Sequence, residues 1–104
     1  MRVYIAGPYT KGDVVVNVRN AIHAADRIFD AGHLPYLPHL SHLWHTVSPH
    51  PWEDWMRLDM EWIRACDALV RMPGESAGAD LEVEQARNLG IPVFDGVDAF
   101  LEVP

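Results

Sequence analysis

Two carboxylates in this sequence stand where helical periodicity calls for apolar residues. Turned at about 100° per residue, the stretch from Gly78 to Leu89 puts Asp80, Glu84, Arg87 and Asn88 on one side and Gly78, Ala79, Ala86 and Leu89 on the other. Glu82 falls in the middle of the small, apolar side. From Trp52 to Cys66 the charges Glu53, Asp54, Arg57, Glu61 and Arg64 share one face, while Trp52, Trp55, Met56, Trp62, Ile63 and Cys66 share the other, and Asp59 lies among the latter. A carboxylate on a buried face is desolvated at considerable cost unless it faces a cavity where something uses it. Two of them, each centred on the inner face of its own helix, suit a paired-carboxylate site in which one group attacks or stabilises and the other moves a proton. The competing reading is a buried hydrogen-bond network with no chemistry.

The elements that must position this pair can be read in order. Arg2 to Ala6 is a short apolar run of β type that stops at Gly7-Pro8, and it reads as a buried first strand. A loop through Asp13 leads into a helix from about Val14 to Ala31, with Val18, Ile22, Ala25 and Phe29 at helical spacing and Gly32 as its stop. His33 to Leu37 is expected as the second strand, with Pro35 tolerated at an edge. Ala68 to Met72 and Ile91 to Phe94 are the third and fourth, and residues 95–101 suggest a terminal helical turn. Strands alternating with helices imply a parallel sheet in a three-layer α/β arrangement with right-handed crossovers, a single domain over residues 1–104.

In such sheets ligands bind beyond the carboxyl ends of the strands. The first loop therefore offers Gly7, Tyr9, Thr10 and Lys11 as contacts, although it carries neither a dinucleotide fingerprint nor a P-loop. The turn from Pro73 to Gly78 would deliver a ligand to the N-terminus of the Glu82 helix, where free N–H groups and the helix dipole favour anions. His39, His42, His45 and His50 form an unusual cluster. A zinc site is one reading, but spacing of three rather than four residues, and the flanking prolines, favour a loop and short helix that line the pocket with rings for a planar base. His23 is expected at the surface.

Composition bounds the rest. A net charge of −7 argues against nucleic-acid backbones and anionic membranes as partners. The single cysteine, Cys66, excludes an internal disulfide and is expected to be a buried structural thiol. No apolar run approaches the length of a membrane span, and a cytoplasmic setting is expected. Four Trp in 104 residues, with a Trp-rich helix from Trp52 to Trp62, lead to the expectation of a homodimer that finishes the apolar surface.

The ordered combination of Tyr4-Ile-Ala-Gly-Pro8, the Asp59 helix, Cys66-Asp-Ala-Leu69 and Gly78-Ala-Asp-Leu-Glu82 with Ala86 resembles the nucleoside 2-deoxyribosyltransferase superfamily. More narrowly it resembles the short members of that superfamily, whose characterised relatives include the 2'-deoxynucleoside 5'-monophosphate N-glycosidases. The resemblance covers nearly the whole chain, most firmly from Asp59 to Val93. It implies a flavodoxin/Rossmann-like parallel sheet of four to five strands with helices on both faces. It also implies a Glu nucleophile at Glu82 and an active-site Asp at Asp59, eight residues before Asp67. Ser76, six residues before Glu82, resembles the phosphate-binding Ser of the monophosphate hydrolases, where transferases acting on free nucleosides tend to carry Asp. Departures are Lys11, roughly where the hydrolases have Arg, and the His-rich insert. The expected activity is therefore hydrolysis of a (deoxy)nucleoside 5'-monophosphate at its N-glycosidic bond, with Tyr4, Gly7, Tyr9, Thr10, Lys11, His39, His42, Ser76 and Gly78 as substrate contacts. No metal or cofactor is required. The alternatives are deoxyribosyl transfer between free nucleosides and a nucleotide-binding module without turnover.

Overall fold

The computed structural model describes residues 1–102. Four parallel strands, β1 (Arg2–Ala6), β2 (Leu34–Tyr36), β3 (Ala68–Arg71) and β4 (Val93–Asp95), form one sheet in the order β2-β1-β3-β4. Five helices accompany them: α1 (Val14–Asp30), α2 (Ser41–Val47), α3 (Trp52–Arg64), α4 (Ala77–Asn88) and α5 (Val97–Leu101). A 3₁₀ turn at Pro38–Leu40 precedes α2. Val3 to Ala6 are wholly buried, as a central parallel strand covered on both faces requires.

Side-chain alternation along β1 and β3 splits the core in two. Val3, Ile5, Ala68 and Val70 face α1 and α5, where they pack on Ala24, Ala25, Ile28, Val97 and Phe100. Tyr4, Ala6 and Leu69 face α3 and α4, where they meet Ile63, Cys66, Ala79, Val83 and Ala86. The chain order reverses between β1 and β3, so the loops leaving their carboxyl ends diverge and open a crevice there. Local signals fix the helix starts. The Asp13 carboxylate accepts the N–H groups of Val15 and Val16 at α1, and the Ser76 hydroxyl accepts that of Ala79 at α4. At the end of α1, Gly32 takes a φ of +93°, and its N–H returns to the Phe29 carbonyl.

The fold departs from the sequence reading in the faces the helices turn inward. The buried stripe of α1 is Ala21, Ala24, Ala25 and Ile28, while Val18 is half-buried and Ile22 and Phe29 are 38% and 63% exposed. Alanines let a helix lie close on a sheet, and the neighbouring row of larger side chains is then carried outward. In α3 only Ile63 is buried, and Trp52 and Trp62 remain 54% and 46% exposed. Leu89, assigned to the inner side of α4, sits at its C-terminal end and is exposed. The fourth strand starts at Val93 rather than Ile91: Pro92 has no N–H to give, though its carbonyl accepts from Leu69. No helix among the described residues is long and apolar enough to cross a membrane.

Candidate active site

Glu82 lies on α4 with only 5% of its surface exposed, and the Tyr4 hydroxyl, rising from β1 beneath it, donates to its Oε2. Asp59, half-buried on α3, lies within interaction range of both groups. Burial pushes the Glu82 carboxyl up to about 8, and the nearby Asp59 charge adds to the rise, although the Tyr4 hydroxyl and Arg71 oppose it. Burial likewise pushes Asp59 up to about 6. Carboxyls this close titrate as a pair, and between those limits the pair holds one proton. One ionised and one protonated carboxyl side by side can supply a nucleophile and an acid at neutral pH. Tyr4 has no exposed surface, so it positions Glu82 from below instead of contacting a ligand, and burial raises its own phenol well above the ordinary range. Its ring stacks on Tyr36 at 5.6 Å, and Tyr36 stacks on Trp62 at 5.1 Å.

The first loop is tied down by the Asn17 side-chain amide, which donates to the carbonyls of Tyr9 and Lys11. Gly7 is needed for proximity: a Cβ there would meet the Met72 Cβ at 2.8 Å, where the two loops cross. Lys11 is exposed, with its Nζ 3.3 Å from Glu75. Across the crevice, Arg71 at the end of β3 is a residue that sequence reasoning overlooked. Its guanidinium donates to the carbonyls of Met72 and Gly74 and to the Asp80 carboxylate, pinning the turn that leads to Ser76. A cation closing an otherwise apolar strand was the available signal.

The histidines have separate partners, and no three His, Cys, Asp or Glu side chains among the described residues converge on a metal position. His39 is 4% exposed. Its Nε2–H donates to the Pro8 carbonyl, its Nδ1 has no partner, and burial lowers its pKa. His42 turns to the Tyr9 hydroxyl at 2.7 Å. The Nδ1 of His45 accepts the Trp55 indole N–H at 3.0 Å and the His50 backbone N–H at 3.2 Å. The His50 ring reaches Asp54 at 3.3 Å.

A cavity of about 260 Å³ brings together Gly7, Tyr9, Thr10, Lys11, His39, Asp59, Ser76, Gly78 and Glu82. Tyr4 and His42, expected as ligand contacts, are not among its lining residues. His45 and His50 line it too, in the ring-bearing segment that the sequence reading expects there, while Trp52, Trp55, Met56 and Ala79, which also line it, were left out. The aromatic residues among them are recognisable only once α2 and α3 are folded against each other. A larger depression of about 360 Å³ lies across Gly7 and His39 against α1, but its lining contains no carboxylate.

Residues 1–95 match the family described as a domain of unknown function (DUF4406), and the chain belongs to that family. A comparison with curated proteins gives no match. Among solved structures, a 2-deoxyribosyltransferase from the psychrotolerant bacterium Bacillus psychrosaccharolyticus superposes with a TM-score of 0.68 at 23% identity, over 89% of this chain and 69% of its own. The two share a fold, the α/β arrangement of a parallel sheet flanked by helices.

Proposed function

We propose that the chain cleaves the N-glycosidic bond of a (deoxy)nucleoside 5'-monophosphate through a covalent glycosyl-enzyme. The observation that carries this reading is the Glu82 and Asp59 pair at the floor of one cavity, with the Tyr4 hydroxyl aimed at Glu82. The likeness to a 2-deoxyribosyltransferase supports the same class of chemistry. In this reading the pair's one proton, held by Glu82 in the free protein, passes to Asp59 when substrate binds. The ionised Glu82 oxygen then bonds to C1' as the C1'–N bond breaks and its electron pair leaves with the base. The protonated Asp59 gives its proton to the departing base. Water then attacks C1', returns a proton to Asp59 and frees Glu82. Tyr4 supports the charge on Glu82 before attack and after release.

The 5'-phosphate would sit at the N-terminus of α4. The Ser76 oxygen already accepts from Ala79, so its own O–H remains to donate to a phosphate oxygen. Transfer to a second base instead of water is the alternative that the structural neighbour favours.

The test is release of free base from a panel of nucleosides and 5'-monophosphates, with and without an acceptor base. Glu82→Ala should abolish release. Ser76→Asp keeps the helix cap but sets a charge against the phosphate, a repulsion of up to roughly 4 kcal/mol at 4 Å and an effective dielectric near 20. It should remove most activity on monophosphates and spare nucleosides. A wild-type preference for nucleosides, or equal effects on both, would replace the hydrolase reading with the free-nucleoside transferase. Ligand binding without base release would leave only a binding module.

A further inference from the structure

We infer that His45 recognises the leaving base in the Glu82 cavity, donating from Nε2–H to an acceptor atom of the heterocycle such as a pyrimidine O2 or a purine N3. The assignment rests on the glycosidic reading above and adds a specificity-determining residue to it. Its basis is how the ring is held. The Trp55 indole and the His50 main chain are groups that can only donate, and both point at Nδ1. Nδ1 must therefore offer its lone pair, which places the ring proton on Nε2. Among the described residues Nε2 has no hydrogen-bond partner, and His45 lines the same cavity as Glu82 and Asp59.

The other two imidazoles of the cavity are wired the opposite way. The Nε2–H of His39 goes to the Pro8 carbonyl and leaves Nδ1 as an acceptor. In its neutral form His50 gives its Nδ1–H to Asp54, which leaves Nε2 as an acceptor. Of the three neutral rings, His45 alone has an N–H to offer. Its setting is also stiff: the Trp55 ring stands edge-on to it at 5.7 Å, and Trp44 braces Trp55 from another side at 5.0 Å.

As the C1'–N bond breaks, its electron pair moves onto the base, and charge grows on the base's carbonyl oxygens and ring nitrogens. A fixed neutral donor at such an atom binds the transition state more tightly than the substrate. His45 keeps its proton throughout, because the proton the base finally takes comes from Asp59.

The experiment measures kcat/KM for base release from two substrates with one sugar and leaving bases of different acidity, thymine and 5-fluorouracil. His45→Ala should lose about 10²-fold with thymine and about tenfold less than that with 5-fluorouracil, which departs more readily without help. His45→Gln, whose amide N–H₂ reaches a similar position, should restore most of the thymine rate. Trp55→Phe removes one of the two donors fixing the ring while leaving His45 in place, and should give a smaller loss in the same leaving-group order, so the test stands even if His45→Ala folds poorly. Equal losses on both bases in these variants, with no rescue by Gln, would mean that His45 only packs on Trp55 and would overturn the assignment alone. Absence of base release from every substrate by the wild-type protein would overturn the glycosidic reading and this assignment with it.

Discussion

The two faces of the sheet grow from the same strands yet hold opposite kinds of content. Val3 and Ile5 point toward α1 and α5, into a wholly apolar core of aliphatic side chains and Phe100, with Phe94 and Met72 packed against it. Tyr4, the residue between them, points the other way and ends at a buried carboxylate. The first face is cheap to bury and can do no acid–base work. The second carries the desolvation of Glu82 and much of that of Asp59, and their raised pKa values express that cost. Stability and reactivity are thus separated by one residue of strand alternation rather than by distance along the chain.

Three substitutions would sharpen or break that separation, in decreasing order of effect. Glu82→Gln is expected to reduce base release to background while raising stability, because Gln can still accept from Tyr4 without a buried charge. The folded Glu82 binds its proton more tightly than the unfolded chain does, so its contribution to stability falls as pH rises from about 4.5 to about 8. The variant should therefore melt at least about 4 °C above the wild type at alkaline pH, the shift that ~1 kcal/mol produces in so small a domain, and converge with it in acid. A melting difference independent of pH would show that Glu82 is not desolvated in the folded protein.

On the opposite face, Ile28→Ala removes a wholly buried side chain and should cost about 2–5 kcal/mol in urea unfolding. Activity per folded molecule should be unchanged; a matching fall in kcat/KM would mean that the two faces are coupled. The smallest effect is expected from Gly78→Ala at the cavity wall. Its new methyl would meet Met56 Sδ at 3.6 Å and Trp52 Nε1 at 3.9 Å, ordinary contacts, so stability should move by less than about 1 kcal/mol. The narrower cavity should show as a higher KM with kcat retained, and an unaltered KM would place the ligand away from this wall.

The architecture was legible because strand runs bounded by Gly and Pro alternate cleanly with helical periods. The interior position of Glu82 was legible for a related reason: α4 is short of large apolar residues, so small side chains marked its inner face. The same rule went unapplied in α1, where Val18, Ile22 and Phe29 drew the wheel toward volume; the fold kept Ala25 but set Ala21, Ala24 and Ile28 beside it instead of those three. His42 and His45 show a different limit. They are one helical turn apart, and which of them meets the cavity depends on the Trp55 indole from another helix, a contact that no local pattern encodes. Arg71 was missed because its acceptors are mostly main-chain carbonyls of a turn, and these carry no residue type to recognise.

The sheet is open, and each of its outer strands is only three residues long. In β2 the N–H of Leu34 points inward to the Met1 carbonyl, so strand alternation turns the nitrogen of Pro35 outward, where a further strand would need a donor. On the other side β4 is preceded by Pro92 and passes at once into Gly96 and α5. Neither border offers a run of free main-chain groups long enough to template another chain. Among the described residues the borders therefore give little opening for cross-strand aggregation under crowding, and any contact between copies would fall to side chains on the helical layers.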